Sequence, residues 1–288
     1  MKIAYYLSSG IKQGLSRFKL AVYLWLIILG FSVVAIAPVS SIIKNNLGNF
    51  YPGRPPLLPF ELHLVEVFMA NQNIFQPYFS LVLTIILVFG LLTVFLNAGV
   101  FGRMTDREKK INFRDFLNDG CRYFWQFFLT VLISLPFFVL LLGLYRLLGT
   151  PVKAWTAEAT TEWPFVIGSN LRMIIFILLW TIFKMLFDLV RIIIVSESKK
   201  LLPSLGSALR FLKNHFFKLW WLDLIIGFGF VIVSAIFLMA GRFLSTSHLA
   251  GVLVIIILSQ AYLLFRLFTR LVFIGVETSY YSENRGAQ

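Results

Sequence analysis

Six ionisable residues lie where the chain is otherwise oily: Lys184, Asp188, Arg191, Asp223, Arg266 and Arg270. A charged group in a membrane helix costs about 2.5–3.5 kcal/mol, so each needs a partner, an exit to the interface or a function. Lys184, Asp188 and Arg191 recur at i, i+4 and i+7 and therefore share one helical stripe; Arg266 and Arg270 form a second. With the N-terminus inside, a rise of about 1.5 Å per residue puts Lys184 roughly 17 Å, and Asp188 and Arg266 roughly 23 Å, below the outer surface. Asp223 shares this inner half of the membrane. Two acids against four bases leave a positive excess, which is the composition of a binding site for an anionic headgroup. The competing reading is structural: Arg191 and Arg270 reach the inner interface while Asp188 and Asp223 lock neighbouring helices through buried pairs.

Other chemistries find no footing. His63, His215 and His248 fall in different segments and build no shared metal site. Cys121 is the only cysteine, which excludes an internal disulfide and a cysteine metal cluster. HExxH, a phosphate-binding glycine loop and a nucleophile elbow are all missing, so neither catalysis nor a cofactor is expected. The net charge of +13 is segregated between connecting loops instead of lining a soluble face, and nucleic acid is not an expected partner.

The elements that position the six residues follow from hydropathy. The chain is 59% hydrophobic and 14% charged with mean hydropathy +0.84, outside the balance of a water-soluble domain. Apolar runs at 20–43, 79–102, 123–149, 173–195, 217–241 and 251–273 each reach the roughly 20 residues that cross a bilayer. They predict an all-α polytopic bundle of about six transmembrane helices, with residues 1–288 forming one transmembrane domain. Segments 1–19, 103–122, 196–216 and 274–288, with Lys218, hold 16 Lys and Arg; the opposite segments hold 5. That bias places the first set, and both termini, in the cytoplasm. Trp125, Trp220 and Trp221 then mark the inner boundary, Trp155 and Trp163 the outer one, and Trp180 lies within a span and packs between helices. Lys12, Arg17 and Lys19 precede a first run containing Ala35-Ile36-Ala37, but that run exceeds the 7–15 residues of a signal core, so a retained helix is expected.

The outer connection 44–78 is the one long loop, made irregular by Pro52, Pro55, Pro56 and Pro59; Phe60 to Ala70 has the mixed pattern of an interfacial helix. Amphipathic segments precede the first, third and fifth spans. The N-terminal one sets Ile11, Leu15 and Phe18 against Lys12, Gln13, Ser16 and Arg17. The second sets Phe113, Phe116, Leu117, Cys121 and Phe124 against Arg114, Asp115, Asn118, Asp119 and Arg122, with Asn112 and Asp115 resembling a capping box. In the third, Leu205, Ala208, Leu209, Leu212 and Phe216 oppose Ser207, Arg210, Lys213 and Asn214, and Pro203 falls in the first turn. Aligning Phe18, Phe124 and Phe217 gives three units, each a cytoplasmic helix followed by a helical hairpin, a layout that three repeats or convergence both explain. Arg191 with Val195-Ser196-Glu197-Ser198 parallels Arg270 with Val276-Glu277-Thr278-Ser279 at two of the exits. Pro136 predicts a kink in the third span, and Gly90, Gly227 and Gly229 predict close packing or bending.

The stretch LNAGVFGRMTDREKKINFRDFLNDGCRYFWQFFLTVLISLP at 96–136 resembles bacterial six-helix membrane proteins of unknown function, which are similar in turn to the membrane domain attached to some glycerophosphodiester phosphodiesterases. The likeness is one of layout: a small-residue helix exit, a charged cytoplasmic helix with Phe116 and Gly120, then an aromatic re-entry and Pro136. It implies a bacterial inner-membrane bundle that deals with lipids. It does not carry over phosphodiesterase activity, because the hydrolase domain of those proteins has no counterpart here. The expected function is a non-enzymatic component that binds or helps to move a lipid-like or amphiphilic molecule, with membrane lipids as partners. The alternative is a permease-like or scaffold subunit that docks a cytosolic partner, such as an ATPase, through 113–122 and 204–216.

Overall fold

Inside lipid every backbone amide must find its partner within the protein, and a helix does so within its own segment. The computed structural model describes residues 2–47, 72–106, 111–157, 161, 163–242 and 249–285. These residues form α1 (Lys2–Ser16), α2 (Phe18–Leu47), α3 (Gln72–Thr105), α4 (Phe113–Ala157), α5 (Trp163–Glu197), α6 (Leu201–Arg242) and α7 (Leu249–Asn284). Six candidate spans lie within α2 to α7, at Phe18–Pro38, Phe79–Thr105, Phe113–Thr156, Trp163–Glu197, Leu201–Gly241 and Gly251–Asn284. The protein is an all-α multi-pass membrane protein, and every expected span falls inside one of these helices. The proline-rich loop at 52–59, the segment 60–70, His63 and His248 lie outside the described residues.

The helices are longer than the spans they contain. At about 1.5 Å per residue, the 45 residues of α4 extend for roughly 68 Å, more than twice a hydrocarbon core of about 30 Å. The amphipathic segments before the third and fifth spans are therefore not separate interfacial helices; each is the first part of a continuous rod. Pro136 and Pro151 lie inside α4 without ending it. Only α1 is set apart, by a turn at Arg17, where the amide reaches the carbonyls of Gln13 and Gly14, both at 3.2 Å.

Residues 23–93 form one compact unit, made of most of α2 and the first part of α3. Phe31 and Phe89 pack there at 5.4 Å between ring centres, while Val33, Val34, Phe79, Ile86 and Leu87 are exposed. An apolar exterior of this kind suits hydrocarbon and not water.

Residues 1–22 and 94–288 form the second unit. Here α4 packs on α5, α5 on α6, α6 on α7, and α1 along α7. The end that carries α1, the close of α3, the starts of α4 and α6 and the closes of α5 and α7 is referred to as the basic end. Its centre is Ile274–Tyr281 of α7, buried all round. The helix therefore runs past the apolar stretch 251–273 and continues to Asn284, because neighbouring elements surround it.

Glycine permits the closest approaches. A Cβ on Gly10 would lie 2.1 Å from Val276 Cγ2 and 2.8 Å from its backbone nitrogen, and one on Gly102 would lie 2.7 Å from Asp119 Cβ. By contrast, Gly90, Gly227 and Gly229 have nothing within 4 Å of such an atom, so the packing role expected of them is not found. The buried faces are also rotated from the expected ones. On α1 and the turn that follows it, Tyr6, Gly10, Gly14 and Arg17 face inward, and Ile11, Leu15 and Phe18, the first residue of α2, are exposed. On α4, Phe116, Asp119 and Gly120 turn inward; Asp119 leaves the expected polar face to pair with buried Arg103. Asp115 lies 3.8 Å from Arg103 Nη1. On α6, Ser204, Ala208, Phe211 and Leu212 face inward while Leu209 is exposed. Pro203 occupies the first turn, as expected, and Ser198, with φ 50°, turns the chain out of α5 in the left-handed region.

Candidate functional site

The charged stripe of α5 forms the middle of a cluster within the second unit. Asp188 is fully buried and receives both Nη groups of Arg270 on α7, at 2.6 and 2.7 Å, and Nη1 of Arg191 at 2.9 Å. The two Arg270 bonds make a fork onto the carboxylate, the strongest pairing these groups offer. Lys184 Nζ lies 3.5 Å from the same carboxylate and bonds Asp223 Oδ2 on α6 at 3.0 Å and Glu277 Oε1 on α7 at 3.1 Å. It also sits 4.0 Å from the centre of the Phe273 ring. The acids are innermost, with Asp188 and Glu277 at 0% and Asp223 at 2% side-chain exposure, whereas Lys184, Arg191 and Arg270 retain 21, 18 and 28%.

Five of the six residues singled out in the sequence thus meet in one network joining α5, α6 and α7. Glu277 completes it and was missed, because it lies past the apolar run in a stretch with the composition of a tail. Its spacing held the signal: Arg266, Arg270 and Glu277 fall at i, i+4 and i+11 on one stripe. Three acids now balance three bases, so the positive excess inferred from sequence is not found in the cluster. Arg266 stands apart; it is exposed and has no ion-pair partner among the described residues.

Two further features adjoin the cluster. Trp220 Nε1 donates to Thr181 Oγ1 at 3.2 Å, tying α6 to α5 one turn from Lys184. Trp180, expected between helices, packs edge-on against Phe138 of α4 yet is 41% exposed, so it also faces the surroundings. Toward the basic end, a polar crevice of about 650 Å³ opens between the close of α3, the start of α4 and the closes of α5 and α7. Asp119, Arg122, Ser196, Thr278, Tyr281 and Arg285 are among its walls. Around it, Tyr281 donates to Glu197 at 2.6 Å, and Glu197 also pairs with Lys199 and Arg285. The parallel between the two helix exits therefore separates: Glu197 belongs to the rim and Glu277 to the interior.

No metal-binding group of three or more His, Cys, Asp or Glu side chains occurs among the described residues. No family model, curated protein or solved structure matches the chain.

Proposed function

We propose that the chain is a non-enzymatic component of the bacterial inner membrane, with its basic end and both termini in the cytoplasm, that binds or helps to move a lipid-like or amphiphilic molecule with an anionic headgroup. Arg266 carries this reading. It lies within the span Gly251–Asn284, on the stripe that carries Arg270 and Glu277, and keeps its charge exposed without a protein partner among the described residues. An arginine so placed is costly unless an anion meets it, and its planar fork fits a phosphate in two-point contact. Exposed Val252 and half-buried Ile255, on the Arg266 side of the same helix, offer apolar surface for acyl chains. The excess of basic residues at one end supports the orientation.

The test is phospholipid retained through purification in mild detergent, counted by native mass spectrometry. Removing a charge-assisted contact is worth about 1.5–3 kcal/mol, so Arg266→Gln should weaken retention of anionic lipid roughly 10- to 100-fold, while Lys199→Gln leaves it unchanged. Equal retention by the Arg266 variant and the parent would refute the proposal.

A docking role has its own support, since the rods of α4 and α6 keep Arg114, Asn118 and Arg122, and Arg210, Lys213 and Asn214, exposed at the basic end. In that case a cytosolic protein co-purifies in fixed ratio and is lost when Arg210 and Lys213 are both replaced by Glu.

A further inference from the structure

Asp188 engages Arg191 and Arg270 through three hydrogen bonds, which leaves Asp223 and Glu277 to share Lys184. Each of the two places one oxygen on the ammonium. The other oxygen of each, Asp223 Oδ1 and Glu277 Oε2, is buried with no hydrogen-bond partner among the described residues. A buried carboxylate oxygen without a donor is costly, and two carboxylates on one ammonium repel each other. One added proton relieves both: the oxygen that takes it becomes an O–H donor, and the pair then carries the single charge that Lys184 balances.

The route to water is adjacent. Thr278 and Ile192, which follow Glu277 and Arg191 directly in their helices, line the polar crevice of the basic end. Thr278 is buried, and its hydroxyl has no partner among the described residues. From these placements we infer that Asp223 and Glu277 hold one exchangeable proton between them, a proton-binding site inside the helix bundle that is supplied from the crevice.

The proton comes from a hydronium ion in the crevice, whose O–H bond breaks to leave water as one carboxyl O–H forms, and the reverse step returns it. Binding takes the six-residue cluster from neutral to a single positive charge. The charged groups facing the pair are Lys184, Asp188 and Arg191 from α5 and Arg270 from α7. On the neighbouring turn of α7, α1 brings the uncharged Ser9 and Gln13 against Ser279, and Arg103 of α3 is held by Asp119. The site is separate from Arg266 and stands whether or not a lipid binds there.

Infrared spectroscopy of the full chain in detergent tests the inference, because ordinary carboxyl groups titrate near about 4 and are ionised at neutral pH. The parent protein should show a protonated-carboxyl C=O band at neutral pH that shifts in D2O. Glu277→Gln and Asp223→Asn should each abolish the band, since either leaves one carboxylate matched to Lys184, and Glu197→Gln should keep it. Loss in only one of the two variants would assign a private proton and overturn the sharing; persistence in both would place the proton elsewhere. Circular dichroism checks that the variants are folded. Should neither amide variant fold, the parent spectrum decides, and absence of the band at neutral pH overturns the site.

Discussion

Asp188 binds side chains from its own helix and from α7, and its removal leaves two arginines and a lysine facing one another in the bundle. Breaking one partner out of a buried pair typically costs about 3–5 kcal/mol, far more than the pair itself contributes. Asp188→Ala should therefore lower the yield of folded, monodisperse protein sharply, and Glu197→Ala, at the crevice rim with Lys199 and Arg285, should lower it little. Equal yields by size-exclusion chromatography would remove the locking role. The α5 stripe was legible in the sequence because charge stands out in an apolar run and recurs at helical spacing. Glu277 was missed because it lies past the apolar run; its spacing puts it on the stripe of Arg266 and Arg270, but its burial comes from the helices crowding around it, which is a tertiary fact.

Among the elements, α1 packs along α7 through glycines that permit close approach. Gly10 touches the backbone of Val276, so Gly10→Ala forces the two helices apart, at a cost of about 1–3 kcal/mol for overpacking. Gly14→Ala meets Val272 Cγ2 at 3.0 Å and should cost less; Gly227→Ala, with open space around it, should be near neutral. Thermal unfolding in detergent ranks the three, and a Gly10 variant as stable as the Gly227 one would contradict the close approach. Span number and placement were readable because length and hydropathy set them. Which face of each amphipathic segment turns inward was not, because an apolar residue is stable both against protein and against lipid. Small residues and ion pairs decided it instead: Gly10 on α1, and Asp119 with Arg103 on α4.

For the molecule as a whole, the proposed orientation assigns opposite faces of the membrane to Cys121 and Ala240. Cys121 is exposed near the basic end, so an impermeant maleimide should label it in inverted vesicles and not in intact spheroplasts. With Cys121→Ala as background, Ala240→Cys should label only from the outer side. Labelling of both positions from one side would reverse or break the threading. One consequence of the encircled stretch Ile274–Tyr281 concerns the order of assembly. The residues at the centre of the basic end leave the ribosome after all the helices that surround them. Until they arrive, Lys184 and Arg191 are matched by Asp188 and Asp223 alone, and α7 then adds Arg270 and Glu277 as one further base and acid, so the charge balances at each step and α7 acts as the keystone that closes the assembly.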